Sequence, residues 1–225
     1  MNYLVVVAHP DDEAFGCGAT INKLVKNGHK VAVATLSAKA AARAVLSDTL
    51  SDDQSAAHKI LGVSKTYNAD FPNIKMNVVP HLEMVQFIEK CILDFGAEVI
   101  ITHHPSDTNV DHRETASAVQ AAFRLFQRRE NVPPIQMVMF MEILASTEWA
   151  VCEPANTFTP NYFVEVGNEG LEIKLKALRA YQNVIRPYPH PSCVEIVYAL
   201  SLLRGSQAKC NMAEAYQVVF QRASI

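Results

Sequence analysis

The chain opens with an apolar run, Tyr3-Leu4-Val5-Val6-Val7-Ala8, that stops abruptly at His9-Pro10-Asp11-Asp12-Glu13. A run of β-branched residues without polar alternation predicts a strand buried on both faces, and Pro10 ends it. One imidazole and three carboxylates therefore arrive together at the strand's carboxyl end, which in open α/β sheets is where ligands bind. A histidine and an aspartate three residues apart on one turn can reach a common point, as two metal ligands must. An adjacent carboxylate is left to handle a proton. The pattern reads as half of a hydrolytic metal site.

The other half lies about a hundred residues downstream. Glu98-Val99-Ile100-Ile101-Thr102 predicts a second buried strand, running into His103-His104-Pro105-Ser106-Asp107-Thr108-Asn109-Val110-Asp111-His112-Arg113 and then a helix. In a parallel sheet both loops share one edge, so one cleft can collect these groups. A catalytic zinc takes three His or carboxylate ligands and keeps a fourth position open. His9, Asp12 and His112 meet that count, although the residues alone leave open which of Asp11 and Asp12 is the ligand. His103, His104 and Asp107 share the second loop and read as structural or rim residues.

Between and beyond these loops, strands alternate with helices, which predicts a Rossmann-like α/β fold with a mainly parallel sheet and the site at the strands' carboxyl ends. Helices are expected from about Gly16 to Asn27, Ser51 to Leu61, Pro80 to Phe95 (Leu82, Val85, Ile88 and Ile92 on one side) and Asp111 to Arg129. Gly28, Gly62 and Gly96 stand where the first three end. Further strands are expected at Lys30–Leu36, Lys65–Ala69 and Gln136–Met141. In the less regular C-terminal third, strands fall at Tyr162–Val166 and Tyr216–Phe220 and helices at Leu171–Val184 and Val194–Leu203. The three prolines of Arg186-Pro187-Tyr188-Pro189-His190-Pro191 impose an irregular loop. Residues 1–225 read as one domain whose last third, from about 142, completes the substrate cleft.

Charge and cysteines narrow the classes. A net charge of −3 recommends no nucleic-acid partner. No segment approaches the ~20 apolar residues of a membrane span, and the N-terminal apolar run is too short for a signal peptide. Five scattered cysteines, odd in number and without CxxC spacing, fit reduced thiols in the cytoplasm.

At Ala8-His9-Pro10-Asp11-Asp12-Glu13 and Asp111-His112-Arg113 the chain resembles the PIG-L/LmbE-like family of zinc-dependent N-deacetylases. Glu142 to Trp149, Pro160-Asn161, Pro189-His190-Pro191 and Ala213-Glu214-Ala215-Tyr216 are similar to the branch acting on sugars and glycan precursors. The resemblance implies one Zn²⁺ (or another divalent metal) per chain on His9, Asp12 and His112, Asp11 as general base, and Asp111 as a residue orienting a ligand or Asn109. It implies a small-molecule N-acetylglucosamine-type substrate and leaves a homo-oligomer open. Arg43 falls where relatives place an arginine against substrate hydroxyls. Three positions depart from the family pattern. Asn109 replaces a histidine, keeping a hydrogen-bond donor for substrate or oxyanion but losing an acid. Ser192-Cys193 replaces an arginine after Pro191, and Asn73 replaces a loop aspartate. With Asn109 unable to titrate, His190 becomes the imidazole that protonates the departing amine, a duty suited to a pKa of ~6.5.

Two other classes compete. Gly16-Cys17-Gly18 near a helix start suggests a non-catalytic nucleotide-binding Rossmann-like module. That fingerprint is incomplete, since Ile21 stands where its third glycine belongs. A family-shaped protein that has lost activity and serves as an interaction partner is the other; the intact ligands and base argue against it.

Overall fold

In the computed structural model, residues 1–38, 49–151 and 156–223 are described. The elements follow in chain order as β1 (Asn2–Val7), α1 (Asp12–Lys26), β2 (Lys30–Thr35), α2 (Leu50–Leu61), β3 (Lys65–Asn68), α3 (His81–Phe95), β4 (Val99–His103), α4 (Val110–Ala122), α5 (Leu125–Arg128), β5 (Met137–Met141), β6 (Tyr162–Glu165), α6 (Gly167–Ala180), α7 (Val194–Ala208) and β7 (Ala213–Gln221). The strands form one seven-stranded sheet in the order β3-β2-β1-β4-β5-β7-β6. The first five neighbours pair in parallel, while β7 runs antiparallel to both β5 and β6.

Side-chain alternation along β1 explains the layering. Val5 and Val7 face α1, α2 and α6, packing with Ile21, Leu61, Leu171 and Leu178. Leu4 and Val6 face the other way, onto Met84, Ile88, Val119 and Ala122 of α3 and α4. Both faces are covered, so the strand carries no polar stripe. Each such side chain contributes about 1.5–3 kcal/mol by burial. β1 and β4 are adjacent at the point where strand order reverses, and both end in the two His/Asp loops. The α/β reading of the sequence thus holds, with the crevice at the switch point.

Several local expectations need correction. α1 starts at Asp12, not Gly16, and is broken at Cys17, whose φ of −148° and ψ of 21° are non-helical. Gly16 serves packing: a Cβ there would overlap Met141 and Ile143. On α3 the inward face is Met84, Val85, Ile88, Cys91 and Ile92, whereas Leu82 is 63% exposed. The helix expected from Asp111 to Arg129 is two, interrupted between Ala122 and Leu125. α6 begins at Gly167, α7 extends to Ala208, and β7 begins at Ala213.

The break in α1 is held by a buried ion pair from distant elements. Lys174 Nζ lies 2.7 Å from Glu214 Oε1 and donates to the Phe15 carbonyl at 2.6 Å. Glu214 in turn accepts the Ala19 and Thr20 N–H groups at 3.2 and 2.7 Å. A carboxylate thus caps the second half of the helix while an ammonium caps the end of the first. The short first half, carrying Asp12 and Glu13, is thereby fixed at the mouth of β1.

Candidate metal centre and active site

His9, Asp12 and His112 each offer one ligand atom, and the three atoms lie within 4.8 Å of one another. His9 Nδ1 is 3.5 Å from Asp12 Oδ2, and His112 Nε2 is 3.4 Å from Asp12 Oδ1. Tetrahedral bonds of roughly 2.0–2.2 Å place neighbouring donors ~3.4 Å apart, so this set fits a zinc-sized cation. Asp12 is turned into position by its own loop, its Oδ2 accepting the His9 N–H at 2.8 Å.

The second nitrogen of each histidine meets a carboxylate. His9 Nε2 sits 2.9 Å from Asp111 Oδ2, and that carboxylate is itself fixed by the Ile74 and Met76 N–H groups at 2.5 and 3.0 Å. His112 Nδ1 lies 3.2 Å from Asp107 Oδ2. Asp107 also accepts from the Asn109 N–H at 2.8 Å, from Thr147 Oγ1 at 2.7 Å and from Ser146 Oγ. Carboxylate–histidine pairs of this kind are what metal-binding imidazoles ordinarily carry behind them. They give the donor set its fit, because each ring presents one committed nitrogen to Asp12.

Electrostatics separates the two neighbouring aspartates. Burial, with Asp12 and Glu13 close by, pushes the Asp11 carboxyl well above the ordinary carboxylate value. Burial would do the same to Asp12, but His112 and His103 outweigh it and hold Asp12 well below that value. Burial opposes charge on the metal-free imidazoles, yet Asp111 and Asp12 raise His9 to about 9. Asp12 and Asp107 likewise overcome burial to raise His112 to about 10. Burial would also lift Asp107, but His112, Ser146 and the Asn109 N–H bring it to about 2. The two neighbouring carboxyls are thus driven in opposite directions, Asp11 toward its protonated form and Asp12 toward its anion.

Asp11 stands at the N-terminal cap of α1 but makes no side-chain cap bond. Its φ of 98° is left-handed, a costly conformation for a residue with a Cβ. His103 is buried, accepts the Ala8 N–H on Nε2 at 2.9 Å and stacks on His112 with ring centroids 4.0 Å apart. Burial and His112 lower its pKa to about 4, so it is a neutral ring stacked behind His112.

The remaining expected residues are less central. Asn109 caps α4, its Oδ1 accepting the Asp111 N–H at 2.9 Å. His190 is exposed, and its polar contacts are local: Nδ1 accepts the Ser192 N–H at 3.0 Å. Its neighbours Pro189 and Pro191 line a cavity of about 430 Å³ with Leu144 and Trp149. Arg43 lies outside the described residues. Asp107, read from the sequence as a structural or rim residue, takes the structural role behind His112. Its place five residues ahead of His112 in a His/Asp loop was the available signal; the hydroxyls of Ser146 and Thr147 that hold it gave none.

The family described as PIG-L, GlcNAc-PI de-N-acetylase, matches residues 4–123, more than half the chain and both loops of the site. The chain belongs to the PIG-L deacetylase family. This PIG-L member is 24% identical over 185 residues to a protein of Escherichia coli K12 named uncharacterized deacetylase YaiS, covering 80% of this chain and 90% of YaiS. In fold it is similar to the N,N'-diacetylchitobiose deacetylase of Pyrococcus horikoshii, with a TM-score of 0.76 and 18% identity over 97% of this chain and 83% of that one. It is similar too to GalB, the 4-carboxy-2-hydroxymuconate hydratase of Pseudomonas putida KT2440, with a TM-score of 0.77 and 20% identity over 100% and 98% of the two chains. One fold therefore hosts a deacetylase and a hydratase, and the reaction has to be argued from the site. Among the described residues, no helix is long and apolar enough to cross a membrane.

Proposed function

We propose that this PIG-L member is a cytoplasmic, zinc-dependent N-deacetylase with one ion per chain, removing the acetyl group from an N-acetylglucosamine-type sugar or sugar conjugate. The observation that carries this is the gathering of His9, Asp12 and His112, with the Asp11 carboxyl, whose affinity for a proton is raised by burial, beside them. The family and the chitobiose deacetylase neighbour support a sugar amide as substrate.

A divalent cation held by His9, Asp12 and His112 supplies Lewis acidity, making water more acidic and a carbonyl more electrophilic. Asp11 takes the proton of the water that attacks the acetyl carbon. The C–N bond then breaks, acetate leaves, and the amine nitrogen needs a proton. His190 supplies it from the C-terminal loop, and Asp11 returns its own proton if His190 is not in reach. With its Oδ1 engaged at the helix cap, Asn109 offers substrate its Nδ2 donor, and Arg43 is assigned to substrate hydroxyls. Asp111 and Asp107 keep the two imidazoles aimed.

The test is a panel of N-acetylglucosamine conjugates incubated with zinc-loaded protein, reading acetate and new primary amine together. The proposal expects equal amounts of both, abolished by a chelator. Binding of a dinucleotide with no acetate from any conjugate would favour the nucleotide-binding module instead.

A further inference from the structure

Behind Asp11 lies a buried contact that the proposed chemistry does not use. Glu13 is fully buried, and its two oxygens are divided between different partners. Oε1 accepts the Tyr181 hydroxyl at 2.5 Å, and Oε2 accepts the Asp11 N–H at 3.2 Å. Tyr181 is 2% exposed and stands at the end of α6, far along the chain from the loop it touches. His58 Nε2 approaches Glu13 Oε1 at 3.6 Å, while its Nδ1 is 2.7 Å from Thr66 Oγ1. A carboxylate in an apolar setting is placed by its donors, because each unmet lone pair is costly there.

Asp11 needs such placement. Its left-handed φ of 98° persists only if surrounding groups over-determine it. The Asp11 carbonyl is engaged by the Ala14 and Phe15 N–H groups at 3.0 and 2.9 Å, which fixes one side of the residue. On the N–H side stand Glu13 Oε2 at 3.2 Å and the Tyr181 hydroxyl oxygen, which also faces the Asp11 N–H.

We propose that Tyr181 is a positioning residue for Asp11. Through Glu13 it locks the Asp11 backbone in the strained conformation that aims the carboxyl at the cleft. The proposal rests on the reading of Asp11 as the base, and it gives the C-terminal third a share in the chemistry without contact to substrate. Among the described contacts the Tyr181 hydroxyl meets Glu13 and Asp11 and none of His9, Asp12 or His112, so metal affinity is a property this role leaves alone.

Amide hydrogen exchange followed by NMR in the metal-free protein tests the lock without any substrate. Tyr181→Phe, which removes one oxygen and keeps the ring, is expected to lower protection of the Asp11 amide by about ten-fold or more relative to core amides such as Val33 in β2. Glu13→Leu, which removes both acceptor oxygens, is expected to do the same and serves if the first variant folds poorly. Unchanged Asp11 protection in both variants would overturn the proposal.

Turnover adds a second arm. Tyr181→Phe should lower kcat by about ten-fold or more with KM and metal affinity within about threefold. In an Asp11→Asn background the same change should cost nothing further, because the group being positioned is gone. Multiplying losses would assign Tyr181 a role independent of Asp11 and overturn the proposal. If the wild type releases no acetate, the proposed reaction fails while the exchange result still decides the lock.

Discussion

Nδ1 of His112 lies 3.2 Å from Oδ2 of Asp107, and this pair leaves Nε2 as the nitrogen turned toward Asp12. Asp107 is in turn held by the hydroxyls of Ser146 and Thr147, contributed by the segment after β5. Three stretches of chain thus converge behind one imidazole.

Asp107→Ala is therefore expected to weaken zinc binding by about 10–100-fold without removing the site, since outer carboxylates carry that much affinity elsewhere. His9→Ala, Asp12→Ala and His112→Ala should each abolish stoichiometric binding. Isothermal titration with Zn²⁺ separates the two classes of effect. Equal affinity in Asp107→Ala and wild type would mean that Asp107 only closes the loop.

Zinc binding should release protons at pH 7. Metal-free His9 and His112 have pKa values raised to about 9 and about 10, so both rings are protonated there, and a ligand nitrogen must give up its proton. Because both values lie above the ~6.5 of an unfolded histidine, these rings stabilise the metal-free fold below pH ~6.5. That contribution is lost as pH rises through 9 to 10. Zinc affinity should move the opposite way and increase with pH over the same range. Titrations at pH 7 in buffers of different ionisation enthalpy should report about two protons released. Release of none would place the imidazoles outside the metal's reach.

Stability should depend sharply on the pair at the α1 break. Lys174 and Glu214 are 4% and 5% exposed, and removing one partner strands the other's charge. Lys174→Met is expected to lower unfolding free energy by about 3–5 kcal/mol in urea denaturation. Adding Glu214→Gln should recover part of the loss. A cost of under about 1 kcal/mol for the single variant would show that water reaches the pair.

How much of this was legible in the sequence follows from how local each signal is. β1 and the His9–Glu13 turn are written in consecutive residues, as are Gly62 and Gly96, whose φ values of 84° and 64° end α2 and α3. The mainly parallel sheet followed from strand–helix alternation, whereas the order that sets β1 beside β4 did not. The break in α1 was hidden because Gly16 and Gly18 imitate a helix start, while its cause sits in Lys174 and Glu214. Leu82 was misplaced because periodicity gives a face but not how far along it is covered, and Leu82 lies in the first turn of α3. The partners of Asp107 and Glu13 lie 40 and 168 residues away, at Thr147 and Tyr181, and no spacing rule joins them.

In the proposed reaction Asp11 is a base beside a metal site that it does not help to build. The most direct measurement compares Asp11→Asn with wild type for zinc stoichiometry and for acetate released from an N-acetylglucosamine conjugate. One zinc per chain is expected in both, with turnover lower by about 10²–10⁴ in the variant. Near-normal turnover in Asp11→Asn, or loss of its zinc, would contradict this role of Asp11.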